Sequence, residues 1–310
     1  MQDAGNKRAG ARHAGPRQII FAFVAALCSI LIIPPFVFSA TTQYQRIVSL
    51  APSVTEILFA LNLQDRLVGV TRFCLYPPQA RQKTKIGGLL DTNYEMIYRL
   101  HPDLIILESN QSDQKAKLEK MGFSILGTET KSVRLILQSI HLVGETFGQQ
   151  RIAGDLIDDI NKKIEDVKTR TEGMSRPRVL VTFERVPGEG QIRQAYVAGN
   201  DTFFSDLIEL AGGQNAYQGP KLITSPILTA EGILHMNPDV IIEVMPISYL
   251  QNFSLEEALN DWKSLGDLKA FQDRHIYILT QDYLTIPGPR VGQALMDLAK
   301  CIHPEKFSSP

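Results

Sequence analysis

Tyr94-Glu95-Met96-Ile97-Tyr98-Arg99-Leu100-His101-Pro102-Asp103-Leu104-Ile105-Ile106 returns later in the chain as Ala230-Glu231-Gly232-Ile233-Leu234-His235-Met236-Asn237-Pro238-Asp239-Val240-Ile241-Ile242. In each copy a glutamate opens a short apolar helix, and a Pro-Asp turn seven residues later launches a buried hydrophobic strand. Each half of the chain therefore carries the same exposed carboxylate on the same small αβ unit. Two similar lobes with matched acidic knobs describe a clamp that presents itself to a two-fold partner. That is the layout of a binding protein more than of an enzyme.

Working outward from the first copy, the chain from Gln45 alternates strands and helices. Arg46–Leu50 is a short strand, Ala51-Pro52-Ser53 is a turn, and Ser53-Val54-Thr55-Glu56 reads as a capping box opening a helix through Leu61. Arg66–Val70 is the next strand. A loop from Thr71 to Pro78 and Lys85-Ile86-Gly87-Gly88 lead into the repeat and its strand Leu104–Leu107. A helix over Gln114–Met121 precedes the strand Ser124-Ile125-Leu126. Strands separated by helices of this length imply βαβ units and a parallel sheet.

From Ser132 to Arg170 the rhythm changes, with neither proline nor strand signal. Apolar residues from Leu135 to Val167 keep a helical spacing, broken by Gly144, Gly148 and Gly154. The pattern predicts a shorter helix and then a long one from about Gln149. A helix of about 22 residues spans about 33 Å, enough to run along two lobes and join them. An ordinary helix lying on one sheet is the simpler alternative. After Gly173 and Pro177 a second series begins, with a strand over Arg178–Phe183, a segment Ala195–Gly199 and a helix over Thr202–Leu210 ended by Gly212-Gly213. The second copy of the repeat, a strand Ile276–Leu279 and a helix Arg290–Cys301 follow. The expected architecture is α/β: two αβ lobes with central parallel-type sheets joined by a long rigid helix. The lobes fall at 45–131 and 176–306, with the link at 132–172.

The composition of the 310 residues, 44% hydrophobic and 21% charged with net charge −1, is that of a globular protein. No run of Lys or Arg reads as a nucleic-acid patch. Residues 1–40 stand apart: Lys7, Arg8, Arg12 and Arg17 precede an apolar run from Ile19 to Ile33, and cleavage is expected near Ala40. This is the order of a secretory signal, with a retained N-terminal anchor as the alternative. Leu27 before Cys28 is too bulky for a lipoprotein cleavage site. Export places Cys74 and Cys301 in an oxidising compartment, where two buried thiols in opposite lobes are expected rather than a disulfide.

Arg46-Ile47-Val48-Ser49-Leu50-Ala51-Pro52-Ser53-Val54-Thr55-Glu56, Tyr76-Pro77-Pro78, the two Glu…Pro-Asp phrases, Gly199-Asn200, Ala211-Gly212-Gly213-Gln214-Asn215 and Pro287-Gly288-Pro289-Arg290 carry a resemblance in this order. The chain resembles periplasmic substrate-binding proteins of ABC importers, in the vitamin B12 and iron-siderophore group, over 45–305. The resemblance implies a class III periplasmic-binding fold, with one clamshell domain whose lobes are joined by a rigid helix. It implies a periplasmic monomer that serves an ABC permease dimer with its ATPase subunits. It also implies that Glu95 and Glu231 dock onto permease arginines. The competing reading of Glu95 is a capping box, Thr92-Asn93-Tyr94-Glu95, and the capping reading is preferred for Glu56.

The ligand is expected beyond the C-terminal ends of the strands. In lobe one this nominates Ser49, Pro52, Ser53, Arg72, Phe73, Cys74, Tyr76, Gly87, Gly88 and the segment Glu108-Ser109-Asn110. In lobe two it nominates Phe183, Glu184, Arg185, Gly199, Asn200, Met245 with Pro246, Asp282, Tyr283 and Arg290. Phe73 and Tyr76 are the leading aromatic contacts, and Cys74 fills shape. Arg72, Arg185, Arg193 and Arg290, balanced by Glu108, Glu184 and Asp282, make a mixed-charge aromatic cleft that leans towards a corrinoid. A ferric siderophore or haem is the alternative. No cofactor is expected, and metal enters only as part of the ligand. His13, His101, His141, His235, His275 and His303 form no ligand pair at metal spacing. His101 and His235 fall at equivalent helix ends beside the Pro-Asp turns. No Gly-x-Ser-x-Gly elbow, P-loop or His-Glu-x-x-His segment supports an exported enzyme.

Overall fold

The computed structural model describes residues 44–221, 223–245 and 253–307. Lobe one is a five-stranded sheet of β1 (Ile47–Ser49), β2 (Leu67–Val70), β3 (Thr84–Lys85), β4 (Leu104–Glu108) and β5 (Ile125–Thr128). Its order is β3-β2-β1-β4-β5 and every pairing is parallel. The helices Pro52–Ala60, Tyr94–Arg99 and Ser112–Lys120 complete the lobe. Because helices cover both faces, β4 is buried at Leu104, Ile105, Ile106 and Leu107, and its sequence is a continuous apolar run.

Lobe two is built on β6 (Arg178–Phe183), β7 (Gln194–Val197), β8 (Gln214–Asn215), β9 (Ile227–Thr229), β10 (Val240–Val244) and β11 (Ile276–Leu279). Its order is β11-β10-β6-β7-β9, with β8 also paired to β6. The central strands β11, β10, β6 and β8 pair in parallel as expected, while β7 runs antiparallel to both β6 and β9. No tight turn marks that reversal in the sequence.

Each copy of the repeat makes the same joint. The helix Tyr94–Arg99 leads to His101 at φ 44°, and the helix Ala230–Met236 ends on Asn237 at φ 45°. A left-handed residue followed by proline stops a helix sharply. Asp103 then donates its N–H to the Arg46 carbonyl at 2.9 Å, and Asp239 does the same to Arg178 at 2.8 Å. The two aspartates accept in return from the N–H groups of Arg46 and Arg178. The arginine side chains reach back to the carbonyls of Leu100 and Met236 at 2.6 and 2.7 Å. The counterpart of His101 in the second joint is therefore Asn237 and not His235, which lies inside its helix at the position that Arg99 holds in the first copy.

Two helices fill the linking segment, Val133–Thr146 and Gln150–Thr171, the second of 22 residues. Ser132 caps the first by accepting from the Leu135 N–H. A single apolar core takes in Ile57 and Leu61 of lobe one, Ile160 and Val167 of the long helix, and Val179, Leu207 and Leu295 of lobe two. The closing helix Val291–Ile302 lies against the long one so closely that Gly292 abuts Lys163. Each fully buried Leu, Ile or Val contributes about 1.5–3 kcal/mol, so the shared core resists independent swinging of the lobes. Cys74 and Cys301 are both free and buried.

Candidate functional site

The strands of lobe one and the parallel strands of lobe two end on the loops nominated for the ligand, and the two rims are built differently. On lobe one Pro52 opens the helix after β1, but the Ser53–Glu56 capping box does not form. Ser53 Oγ instead donates to Glu108 Oε1 at 2.5 Å, at the end of β4. Burial pushes the Glu108 carboxyl above its ordinary value, against the opposing effect of hydrogen bonds from Ser53, Thr130 and Asn110. Glu56 crosses to the far end of the chain and binds Arg290. Ser49 is buried, donating to the Ala51 carbonyl. Cys74 is sealed in the lobe core, with Sγ 3.1 Å from the hydroxyls of both Thr55 and Thr71, and burial pushes its thiol up. It therefore faces no ligand.

Phe73 and Tyr76 are open, 57% and 41% exposed. Gly87 has φ 87°, and a Cβ there would stand 2.3 Å from the Asp91 carbonyl, so the turn requires glycine. Gly88 donates its N–H to Asp91 Oδ1 at 3.1 Å and packs under the Phe73 ring. Arg72 pairs with the same Asp91 and lies 5.5 Å from the Phe73 ring centre. The hydrogen bond from Arg72 holds the Asp91 carboxyl below its usual range.

On lobe two Phe183 is stacked against Tyr196 and Phe204, with centroids 6.5 and 6.0 Å away. Arg185 is the clearest departure from expectation. It is buried and enclosed by carboxylates, with Nε 2.7 Å from Glu243 and Nη1 2.5 Å from Asp261. Nη2 also donates to the Ala258 carbonyl. Asp261 further accepts from the N–H groups of Gly188 and Gly190 at 2.7 Å, and Trp262 Nε1 donates to Glu243 at 2.9 Å. Arg185 thus anchors the loop after β6 from inside the lobe and offers nothing to a ligand.

Gly199 and Asn200 do not stand at the ligand-facing strand ends. Because β7 is antiparallel, Ala198 donates to the Val181 carbonyl and the pair falls beside the middle of β6. A Cβ on Gly199 would sit 2.1 Å from the Ile223 carbonyl, and Asn200 Nδ2 donates to the Gly219 carbonyl. Both are explained by this close approach of backbones. Met245 is buried, and Pro246 lies outside the described residues.

Asp282, Tyr283 and Arg290 come together where the lobes meet. Arg290 Nε and Nη2 donate to the two oxygens of Glu56 at 2.9 and 2.6 Å, and Nη1 donates to Asp282 at 2.7 Å. The guanidinium lies 3.8 Å over the Tyr76 ring and 5.3 Å from that of Tyr283. Desolvation opposes its charge, but the bonds to Glu56 and Asp282 outweigh this and raise its pKa. Burial pushes Glu56 up while Arg290 draws it back; the two-pronged contact at these distances marks an ion pair. Tyr283 donates to Asp297 at 2.5 Å, and burial with that partner pushes its hydroxyl to about 12.

Glu95 and Glu231 are exposed on the helices that follow β3 and β9, the edge strands of the two sheets. Neither caps its helix: Asn93 accepts from the Met96 N–H and Thr229 from the Gly232 N–H. Glu95 pairs with Arg99 at 2.5 Å.

Two αβ lobes bridged by a helix, with aromatic rings open on one rim, define a clamshell binding protein. The chain belongs to the periplasmic binding protein family, whose model matches residues 47–283. It is 28% identical over 268 residues to the uncharacterized ABC transporter substrate-binding lipoprotein YvrC of Bacillus subtilis, covering 85% of this chain and 81% of that protein. The periplasmic vitamin B12 binding protein BtuF of Vibrio cholerae superposes with a TM-score of 0.72 at 25% identity, covering 86% of this chain and 99% of the other. The periplasmic heme-binding protein RhuT from Roseiflexus sp. RS-1 superposes with a TM-score of 0.68 at 26% identity, covering 84% and 99%. Among the described residues no helix is long and apolar enough to cross a membrane. The N-terminal signal or anchor expected at 1–40 lies outside those residues.

Proposed function

We propose that the chain is the extracytoplasmic receptor of an ABC importer, that it captures a corrinoid between its lobes, and that it docks on the permease through Glu95 and Glu231. The observation that carries the ligand choice is the state of the four candidate arginines. Arg185 is buried between Glu243 and Asp261, Arg290 is held by Glu56 and Asp282, Arg72 is paired with Asp91, and Arg193 stands 3.7 Å from Glu189. An anionic ferric siderophore requires cations that are not already neutralised. Open aromatic rings with neutralised arginines suit a broad ligand bound by stacking, and the similarity to a vitamin B12 binding protein points the same way. Haem is the second reading, favoured by the likeness to RhuT, although its propionates make the same demand for cations.

Closure on the ligand is small, because the long helix and the core it shares couple both lobes. The loaded receptor then meets the permease with one carboxylate from each lobe, and Arg–carboxylate contacts fix its orientation. Calorimetric titration of the protein with cyanocobalamin, a ferric siderophore and haemin tests the ligand. The expected result is one-to-one cobalamin binding with Kd below about 1 µM, weakened about 10-fold by Tyr76→Ala or Phe73→Ala. Tight binding of the ferric siderophore alone overturns the choice of ligand.

A further inference from the structure

We propose that Arg290 is a positioning residue for the ligand site, acting through Tyr76: it covers one face of that ring and fixes the opposite face as a stacking platform. This rests on the reading that a broad flat ligand meets Tyr76. The geometry separates Arg290 from a ligand contact. Its side chain is only 10% exposed, and its edges are taken by Glu56 at 2.6 and 2.9 Å and by Asp282 at 2.7 and 3.2 Å. What remains is the flat face, and that lies 3.8 Å over Tyr76.

A guanidinium held by carboxylates from two distant parts of the chain cannot rotate, so its plane dictates the plane of the ring stacked on it. Glu56 is itself fixed, 3% exposed on the helix Pro52–Ala60. Tyr76, in contrast, lies between β2 and the short turn Pro78–Gln82, where no strand or helix sets its direction. There is also room for it to move. A pocket of about 550 Å³ is lined by Tyr76, Glu56 and Arg290 together with Phe59, Leu156 and Lys163. Of the nominated ligand contacts, only Tyr76 and Arg290 border that pocket. Without the arginine the ring is free to turn into this space, and a ligand must bear the entropy of ordering it.

The test is a double-mutant cycle read by calorimetry with cyanocobalamin. Arg290→Met is combined with Glu56→Gln, so that no carboxylate is left buried alone, and the pair is made with and without Tyr76→Ala. With Tyr76 present the pair weakens binding about 10-fold; with Tyr76→Ala in place it costs less than about 2-fold. Equal losses in both backgrounds overturn the proposal, since Arg290 then acts independently of the ring. Should the pair variant fail to fold, Arg290→Lys keeps the charge without the plane, and the same cycle and criteria apply. A readout without ligand is the ¹⁹F spectrum of fluorotyrosine-labelled protein, with Tyr76 assigned by Tyr76→Phe. The Tyr76 line is narrow in the parent, and broadens and moves in the pair variant. If the parent binds neither cyanocobalamin nor haemin, the ligand reading fails and this spectrum decides alone. An unchanged Tyr76 line then overturns the positioning role.

Discussion

The two lobes share one plan and depart from it at one place. Lobe one orders its strands β3-β2-β1-β4-β5 and lobe two β9-β7-β6-β10-β11, so β1 matches β6 and β4 matches β10. In lobe one β1 runs directly into the helix Pro52–Ala60. In lobe two residues 184–202, including β7, intervene before the helix Phe203–Leu210. The short β8 then pairs in parallel with the start of β6, as β2 does with β1, while β7 takes the end of β6 in the opposite direction. The repeated joints and outer helices, which carry Glu95 and Glu231, remain alike. The rims nominated for the ligand do not: aromatics and glycine turns form one, and a loop pinned by a buried arginine forms the other. Under the proposed function, the shared architecture would serve a symmetric partner, and the divergence falls on the rims nominated for the ligand.

The sharpest break of this comparison is Arg185→Ala. Removing the arginine leaves Glu243 and Asp261 buried without their counter-charge, which costs about 3–5 kcal/mol. Thermal denaturation should show a fall in Tm of roughly 10 °C. The matching change on lobe one, Ser53→Ala, removes one hydrogen bond from Glu108, which keeps Thr130 and Asn110. A cost of about 1–2 kcal/mol is expected, and an effect as large as that of Arg185→Ala contradicts the asymmetry.

Glu108 also gives lobe one a pH signature. Burial raises its carboxyl above the ordinary 4.5, so the folded state holds this proton more tightly than the unfolded state. Its contribution to stability is full below 4.5 and is lost as pH rises through the folded value. Glu108→Gln should therefore raise Tm relative to the parent at pH 7 more than at pH 4. A difference independent of pH sinks the assignment. The smallest effect belongs to Arg99→Ala: the exposed Glu95–Arg99 pair has no counterpart at Glu231, where His235 occupies the matching position. Tm should change by no more than about 1 °C in a melting curve.

What the sequence revealed and what it hid divide along the range of the interactions. The repeated joint was legible because its signals are local, a glutamate at a helix start and a Pro-Asp turn seven residues later, although the bonds that hold it reach Arg46 and Arg178, 57 and 61 residues away. The 22-residue helix was legible from its spacing and its lack of proline. Ser53-Val54-Thr55-Glu56 had the pattern of a capping box, but Glu56 answers to a cation 234 residues away. Arg185 looked like a ligand cation because Asp261 lies 76 residues on, and nothing local announces that it is paired. The reversal of β7 was hidden for a related reason. Residues 184–193 carry no periodicity, and their course is set by Gly188 and Gly190 binding the same distant Asp261.

The measurement that bears most directly on the account is uptake of radiolabelled cobalamin by cells carrying Glu95→Ala and Glu231→Ala together, with calorimetry on the purified variant. The account predicts uptake at background with cobalamin affinity unchanged, because both carboxylates face the permease and neither faces the ligand. Normal uptake, or a loss of affinity equal to the loss of uptake, contradicts it.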